Sequence, residues 1–254
     1  MTPIDKTRQS PNIQDDAEVG CGPCPVRGFD LFAGLSHHRA GEMLRGIDHL
    51  EYAARASIYP TGENSPFLYV VREGLIKLSH SLPNGAERIV RILEPGDTAG
   101  LEALFGDPYH HTAVTLTPAR LCRVPVALLE QLDREVPDFH RHLLRQFQRS
   151  LYQAEAVLTN LATGTAHGRV ARLLLFLARN HGTQSVTLIS REDMGAILGI
   201  TTESASRIVA QFRRNGALTD CKGSVCTGNL SRLAELARDA DAQDKPRRVS
   251  YANG

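Results

Sequence analysis

The chain has 254 residues, of which 42% are hydrophobic and 22% are charged, and its formal net charge is +1. This length is sufficient for two hydrophobic cores, so we expect two domains. The sequence holds no run of about 18 apolar residues, and its first residues are polar rather than basic and then apolar. It therefore predicts neither a membrane span nor a signal peptide, and we expect a cytoplasmic protein.

The amino-terminal region begins with polar residues and continues with a cysteine motif. Residues 1–20 show no hydrophobic period, which predicts a flexible tail. The letters CGPC then place Cys21 and Cys24 three positions apart, and Asp30 follows six positions later. Clustered thiols in a reducing compartment bind metal or take part in thiol–disulfide exchange, and this spacing alone leaves both open.

Residues from about 50 to 125 alternate between short apolar runs and turn-forming residues. The runs are 67–71, 75–78, 89–93 and 113–116, and turn residues stand at 73–74, 83–85 and 95–97. Gly, Pro, Asn and Asp supply the constrained or positive φ angles of tight turns. Many strands at such short spacing predict an antiparallel roll or barrel.

A long helical pattern follows the predicted strands. Apolar residues recur at steps of 4, 3, 4 and 3, at Phe147, Leu151, Ala154, Leu158 and Leu161. This stripe is narrow, which favours the seam of a dimeric coiled coil, and a helix facing the core of its own domain remains the alternative. Gly164 interrupts the pattern, so we place a hinge there, followed by a second amphipathic helix over 166–180.

The segment 190–218 has the pattern of a helix-turn-helix. Ser190 is suited to cap a first helix, and Gly199 permits the sharp turn after it. Thr202 or Thr201 then caps a second helix that continues to about residue 214. The apolar residues predicted to hold the two helices together are Met194, Ile197 and Leu198 in the first, and Ile208, Val209 and Phe212 in the second.

The second helix carries polar residues suited to reading DNA bases. Thr202, Glu203, Ser206 and Arg207 lie on or near its exposed face. In the major groove, Arg donates two hydrogen bonds to guanine and Glu accepts one from cytosine. Residues 167–236 hold nine Lys or Arg against five Asp or Glu, a net charge of +4, which predicts an anionic partner. Double-stranded DNA is therefore expected, and two packed helices with a solvated charged face are the plainer alternative.

Together, the roll, the long helix, the hinge and the letters ESASR at 203–207 resemble the CRP/FNR superfamily of bacterial transcription regulators, over about residues 31–236. The resemblance implies an α+β fold with an amino-terminal cyclic-nucleotide-binding-like β-roll, a long dimerisation helix and a carboxy-terminal winged helix-turn-helix. It also implies a homodimer that binds DNA, cooperates with RNA polymerase and is not an enzyme. The E-x-x-S-R pattern is similar to the FNR branch, which implies that Glu203, Ser206 and Arg207 read a TTGAT-like half-site in an inverted repeat.

The roll departs from the pattern of relatives that bind a cyclic nucleotide. Those relatives use Gly-Glu-Leu for the ribose and an Arg-Ser pair for the phosphate, whereas the corresponding letters here are GLE at 100–102 and HTA at 111–113. Glu102 is displaced by one position, which on a strand turns a side chain to the other face. The phosphate also lacks its bidentate arginine. We therefore expect no cyclic nucleotide.

The same resemblance implies an inorganic cofactor. The FNR branch holds a [4Fe-4S] cluster with C-x2-C-x5-C near the amino terminus and one cysteine in the roll. Cys21 and Cys24 match the first pair, Cys122 matches the roll ligand, and Asp30 stands in place of the third amino-terminal cysteine. A carboxylate is a harder donor than a thiolate, so such a cluster should be more labile. The implied signal is oxygen, nitric oxide or redox state.

Other sensing chemistries remain open at this point. Cys21 and Cys24 would also serve a thiol–disulfide or zinc sensor. Haem would use His80, His110 or His111 as a ligand. A regulator without any cofactor would follow its own expression level.

Cys221 and Cys226 flank Lys222 and Gly223, where the family's winged hairpin turns. The two thiols could bridge under oxidation. We interpret them instead as two small apolar residues of a strand pair.

These observations divide the chain into five parts. We expect a flexible tail over 1–20, a cluster-binding segment with the β-roll sensory domain over 21–140, a dimerisation helix over 141–164, the winged helix-turn-helix domain over 165–238, and a flexible tail over 239–254. Paired acids, a nucleophile–base arrangement and a phosphate loop are not visible, so catalysis is not expected.

Overall fold

The computed structural model describes residues 12–13, 46–178 and 185–243, and for 12–13 and 239–243 it describes the backbone alone. The chain divides into two compact units, Met1–Ala154 and Glu155–Gly254. Among the described helices, none is both long enough and apolar enough to cross a membrane.

The first unit contains a roll of two antiparallel sheets. Its described strands are β1 Asn12–Ile13, β2 Asp48–Tyr52, β3 Ser57–Tyr59, β4 Phe67–Glu73, β5 Ile76–Ser81, β6 Glu87–Leu93, β7 Thr98–Ala99, β8 Thr112–Thr115 and β9 Ala119–Pro125. One sheet has the order β1-β2-β9-β4-β7 and the other β3-β8-β5-β6. The four apolar runs of the sequence correspond to β4, β5, β6 and β8, and the predicted fold class is confirmed.

Glycines with positive φ make the tight turns of the roll. Gly74, between β4 and β5, has a φ of 84°, and a Cβ atom there would lie 2.3 Å from the carbonyl oxygen of Pro118. Because no side chain fits at that distance, this position requires glycine. Gly96, after β6, has a φ of 93°, and its amide donates to the carbonyl of Val71 at 2.9 Å. This second turn places Asp97 in the interior.

Helices cover one side of the roll. The helix α1 is Val126–Glu135, α2 is Phe139–Ala156, and a 3-10 helix occupies Leu101–Phe105. Leu129 and Leu132 of α1 are buried with Phe139 of α2 in one apolar cluster, which also contains Cys122 of β9. This cluster attaches both helices to the larger sheet.

Asp97 fastens α2 to the roll. Its side chain is 1% exposed, and its Oδ1 lies 2.7 Å from Nε of Arg149. Its Oδ2 accepts from Nε2 of Gln153 at 2.7 Å and from the backbone amide of Glu94 at 2.8 Å. A buried carboxylate is stable only when it is paired and hydrogen-bonded, so this network fixes the position of α2.

Two further contacts extend this network along α2. Arg91 of β6 donates from Nη2 to Oε1 of Gln153 at 2.8 Å, and Thr98 of β7 donates from Oγ1 to Oε1 of Gln146 at 3.3 Å. Gln146 is 2% exposed. A polar side of α2 therefore faces the roll, although a helix usually turns its apolar side inward.

The second unit contains the carboxy-terminal helices and a small sheet. Its described elements are a π-helical turn Val157–Leu161, α3 Ala166–Ala178, β10 Ser185–Thr187, α4 Arg191–Leu198, α5 Thr202–Arg214, β11 Leu218–Lys222, β12 Val225–Gly228 and α6 Leu230–Gln243. The sheet has the order β10-β12-β11 and is antiparallel. Apolar residues of α3, α4 and α5 form the core, including Leu174, Met194, Val209 and Phe212.

The predicted hinge segment is held by one arginine. Arg172 of α3 donates from Nε to the carbonyl of Asn160 and from Nη2 to the carbonyl of Thr163. Its Nη1 donates to the carbonyl of Ala237 in α6 at 3.4 Å. Gly164 has a φ of 78°, so the helical pattern ends where the sequence predicts.

Both predicted tails contain part of a regular element. Asn12 lies opposite Glu51 and Ile13 opposite Leu50, so β1 is a short edge strand beside β2. At the other end, α6 continues past residue 238 to Gln243. The remainder of 1–20 and residues 244–254 lie outside the described residues.

Candidate nucleic-acid interface

The helices α4 and α5 begin at side-chain caps. Oγ of Ser190 accepts from the backbone amide of Asp193 at 2.9 Å and donates to the carboxylate of Asp193 at 2.6 Å. Oγ1 of Thr201 accepts from the backbone amide of Ser204 at 3.2 Å. Thr201 rather than Thr202 is thus the cap of α5, and each cap satisfies an amide that the helix leaves without a partner.

The turn between α4 and α5 is tight because two glycines allow it. Gly199 has a φ of 64°, and its amide donates to the carbonyl of Gly195 at 2.9 Å. A Cβ atom at Gly195 would lie 2.7 Å from the carbonyl oxygen of Ile200. A side chain at either position would open the turn, so the two glycines set how the helices cross.

One face of α5 is buried and the opposite face is exposed. The buried residues are Ala205, Ile208, Val209 and Phe212. All four residues predicted to read bases are exposed: Thr202, Glu203, Ser206 and Arg207. They project from the first two turns of α5, the part of a recognition helix that contacts base edges.

Opposite charges stand together on this exposed face. A hydrogen bond from its own backbone amide, and then one from Thr201, lower the pKa of Glu203, so its carboxylate is an anionic acceptor. Nη2 of Arg207 donates to Oγ of Ser204 at 3.4 Å, and Oγ1 of Thr201 lies 3.2 Å from the same oxygen. Ser204 therefore orients Arg207, a role that the E-x-x-S-R spacing did not reveal.

Further positive charge surrounds α5. Arg169 of α3 donates from Nη1 to the carbonyl of Leu198 at 2.6 Å, which holds the end of α4. Burial, and then the charge of Arg213, lower the pKa of Arg191. Arg213 and Arg214 are exposed in the last turn of α5. Neighbouring like charges repel, and a polyanion such as DNA relieves that repulsion.

The β11–β12 hairpin forms a wing next to the helices. Its turn contains Gly223 with a φ of 59°, and Lys222 is exposed beside it. Cys221 and Cys226 are joined by a disulfide across the hairpin. The interpretation of the two cysteines as unlinked apolar residues is therefore wrong, because they lie opposite each other, which places both side chains on the same face.

The predicted dimer-interface residues occupy different environments. Leu151 and Leu158 are 62% and 66% exposed, Leu161 is 5% exposed, and Phe147 and Ala154 are partly buried. Phe147 packs against the apolar cluster of the roll, with its ring centroid 5.9 Å from that of Phe105.

The outward side of α2 also carries apolar residues that the stripe did not include. Leu144 is 63% exposed and Tyr152 is 71% exposed. Together with Leu151 they leave a large apolar surface in contact with solvent, and such a surface is typical of a protein interface.

Of the four predicted cluster ligands, only Cys122 lies within the described residues. It is fully buried and outside any disulfide, and its Sγ lies 3.5 Å from Nδ1 of His49. Nη1 of Arg72 lies 3.1 Å from the same nitrogen. Cys21, Cys24 and Asp30 lie outside the described residues, within which no group of three or more His, Cys, Asp or Glu could hold a metal ion.

The part of the roll that corresponds to a nucleotide site contains Glu102, His80 and His111. Oε1 of Glu102 accepts from the backbone amide of His110 at 2.8 Å, so this carboxylate is tied to its own loop. The rings of His80 and His111 lie 4.5 Å apart. Burial, and then the neighbouring His80, lower the pKa of His111, which favours its neutral form. A neutral imidazole is a weak substitute for the arginine that binds a cyclic phosphate.

Comparison with known proteins gives matches over both units. The chain matches the model of the cyclic nucleotide-binding domain at residues 49–135 and that of the Crp-like helix-turn-helix domain at residues 168–236. The transcriptional regulator LdrP of Thermus thermophilus is 33% identical over 198 residues, which cover 74% of this chain and 95% of the relative. An anaerobic regulatory protein of Aggregatibacter actinomycetemcomitans is 22% identical over 226 residues, which cover 86% of this chain and 88% of the relative.

A solved structure gives a similar result. That of FixK2 from Bradyrhizobium japonicum has a TM-score of 0.67 and 27% sequence identity, and the match covers 75% of this chain and 96% of that chain. The resemblance thus extends over nearly the whole length of these proteins.

The identity of the residue that caps α5 can be tested by mutation. Because Thr201 satisfies a helix amide and Thr202 does not, Thr201→Ala should lower the free energy of unfolding by about 1 kcal/mol, and Thr202→Ala by much less. Urea unfolding followed by circular dichroism measures both. Equal losses in the two variants would contradict the assignment of the cap.

Proposed function

Because this chain belongs to the CRP/FNR family of transcription regulators, we propose that it senses oxygen or redox state through a [4Fe-4S] cluster and binds a TTGAT-like inverted repeat as a homodimer. Members of this family are transcription regulators rather than enzymes, and the helix-turn-helix domain makes this chain a DNA-binding protein. The observation that carries the proposal is the capped helix α5, with Glu203 and Arg207 side by side on its exposed face.

Reading of the half-site depends on the first turns of α5. Arg207 donates to guanine through its guanidinium group, and Glu203 accepts from the amino group of cytosine. Ser204 restricts the guanidinium before DNA arrives, which lowers the entropy lost on binding. Lys222 of the wing and the arginines at the end of α5 contact phosphates, which adds affinity without sequence preference.

Pairing of two subunits supplies the second half-site. The exposed Leu144, Leu151 and Tyr152 of α2 support a homodimer because burial of such side chains drives association. Two recognition helices in a symmetric dimer meet successive major grooves about 34 Å apart, and this distance selects the spacing of an inverted repeat. RNA polymerase is the further partner that transcription control requires.

The amino-terminal segment that carries three of the proposed cluster ligands is attached to β2 at both of its ends. Upstream of Cys21, Ile13 lies opposite Leu50 of β2, and downstream of Asp30 the chain enters the same strand at Asp48. His49 in this strand lies opposite Cys122. Both ends of the segment are thus attached to the strand that pairs with the roll ligand, and such tethering raises the effective concentration of the other ligands.

The donor set fits an iron–sulfur centre. Cys21, Cys24 and Cys122 supply thiolates, and Asp30 supplies a carboxylate. The apolar cluster around Cys122 limits access of water, which governs the redox properties of such a site. A bound [4Fe-4S] cluster supplies sensitivity to oxygen. Cys122 is fixed in β9, and the other three ligands lie in the amino-terminal segment. A bound cluster would therefore link that segment to the roll.

Iron content tests the cofactor. Protein purified without oxygen should contain about four iron atoms per subunit with equal sulfide and a brown visible spectrum. Cys21→Ala and Cys122→Ala should lose the iron, because each removes a thiolate, and Asp30→Ala should lose it faster in air. The double variant Cys221→Ser/Cys226→Ser is the control and should keep its iron. Iron-free, colourless wild-type protein that binds DNA equally with and without air would instead show a regulator without a cluster.

Base recognition is tested with two arginines of α5. Arg207→Ala should weaken binding to a duplex with inverted TTGAT half-sites by about 1–3 kcal/mol and remove the preference over a duplex with the guanines replaced. Arg214→Ala removes the same charge from the far end of the helix and should weaken both duplexes alike. Fluorescence anisotropy at one fixed salt concentration measures this. If Arg207→Ala and Arg214→Ala changed the affinity for each duplex by the same factor, the assignment of Arg207 as a base-reading residue would be refuted.

A further inference from the structure

The wing disulfide is a feature that neither DNA reading nor the cluster explains. We infer that Cys221 and Cys226 form a reversible redox site, which exchanges with low-molecular-weight thiols and disulfides and thereby controls the order of the wing. This site is separate from the proposed cluster, because its cysteines lie in the second unit and are not among the cluster ligands. Its effect on DNA binding rests on the proposed function.

The register of the hairpin brings the two sulfur atoms together. Lys222 lies opposite Val225 in the β11–β12 pairing, and the disulfide joins the next residue on each strand, Cys221 and Cys226. Their Cα atoms are 4.0 Å apart, and directly opposite residues of an antiparallel pair place their side chains on one face. The thiols therefore remain neighbours whenever the hairpin is formed.

The hairpin is weak at this point. β11 is an edge strand of its sheet, and its register shifts between Thr219 and Lys222, where Asp220 has a φ of 46°. Beyond this shift, Lys222 on the β11 side of the tip is held by its pairing with Val225 and by the disulfide, whereas Val225 and Cys226 of β12 also pair with β10. The amide of Leu188 also donates to the carbonyl of Ser224 at 2.6 Å. Breaking the disulfide thus removes a large share of what holds the β11 side of the tip, while β12 stays paired with β10.

One sulfur of the pair is more accessible than the other. Cys221 is partly exposed, whereas Cys226 is 1% exposed. A thiolate of a small dithiol attacks Sγ of Cys221, the S–S bond breaks, and Cys226 leaves as a thiolate that takes a proton from water. The second thiol of the reductant then closes its own disulfide and releases Cys221. Two electrons pass from the dithiol to the protein.

Oxidation is the reverse exchange and requires a small disulfide. A thiolate of the protein attacks oxidised glutathione and forms a mixed disulfide, with one glutathione thiolate as the leaving group. The other cysteine attacks the protein sulfur of this mixed disulfide, and the second glutathione leaves. Two electrons pass from the protein to oxidised glutathione, and the two protons lost by the protein thiols are taken up by the two glutathione thiolates.

The consequence for DNA follows from the position of Lys222. This exposed lysine is adjacent to Cys221, at the tip that the disulfide holds. A wing held in one conformation loses less entropy when its lysine contacts a phosphate. The bridged protein should therefore bind DNA about threefold to tenfold more tightly than the dithiol form.

A thiol count tests the redox site without DNA. The full-length protein is equilibrated in glutathione buffers of increasing reduced fraction, quenched with iodoacetamide and digested, and the mass of the peptides containing Cys221 and Cys226 is measured. We expect a reversible change from the linked to the doubly alkylated peptides. Cysteines that stay linked, or stay free, over the whole range would overturn the inference.

Anisotropy titrations then test the link to DNA. The probes are the duplex with inverted TTGAT half-sites and a duplex of unrelated sequence, both titrated with bridged and reduced protein. Reduction should weaken the binding of the wild-type protein to DNA about threefold to tenfold. Cys221→Ser/Cys226→Ser should match the reduced wild type in both buffers, and Lys222→Ala should show a much smaller redox effect.

The outcomes separate the two proposals. If the thiols of the wild-type protein convert but its affinity for DNA does not change, the inferred control of DNA binding is overturned. Failure to prefer the TTGAT duplex in either redox state would refute the proposed operator, while the thiol count and the unrelated duplex would still decide the redox inference.

Discussion

The buried carboxylate of Asp97 is the constraint on which the first unit depends. It is 1% exposed and contacts Arg149, Gln153 and the amide of Glu94, and removal of Arg149 would leave this buried charge without an ion-pair partner. These contacts select which side of α2 faces the roll. Together with the apolar contacts of Phe139 and Phe147, they turn this side of α2 to the roll, and Leu144, Leu151 and Tyr152 are left on the outward side. A polar attachment within the subunit thus leaves an apolar surface on the opposite side of α2, which is the surface proposed for the dimer.

The second unit uses a different means to place its functional side chains. Caps at Ser190 and Thr201 fix where α4 and α5 begin, and the close approach at Gly195 fixes how they cross. With the backbone set, Glu203 and Arg207 carry opposite charges on one exposed face. The backbone that carries the proposed base-reading residues is fixed by these caps and by the tight turn. It is weakest in the wing, where the strand pairing is interrupted and a disulfide takes over.

Local patterns in the sequence predicted the elements that depend on local chemistry. The strands β4, β5, β6 and β8, the class of fold and the buried and exposed residues of α5 agree with the structure. Contacts between distant residues were harder to predict. Phe147 belongs to the apolar stripe, yet it packs against Phe105. Gln146 is a polar residue expected to face solvent, but in the structure it is buried and accepts a hydrogen bond from Thr98. The disulfide required the register of the hairpin, which the spacing of Cys221 and Cys226 alone does not give.

The dimer dissociation constant is the most direct test of the role of Asp97. Sedimentation velocity over a concentration series would compare the wild type with Asp97→Asn, and with Glu73→Gln, whose ion pair with Arg120 is exposed. We expect Asp97→Asn to weaken the dimer by about tenfold or more, because a charge-assisted contact contributes about 1.5–3 kcal/mol, and Glu73→Gln to leave it unchanged. A folded Asp97→Asn protein with the dimer affinity of the wild type would contradict the view that this carboxylate sets the surface of α2.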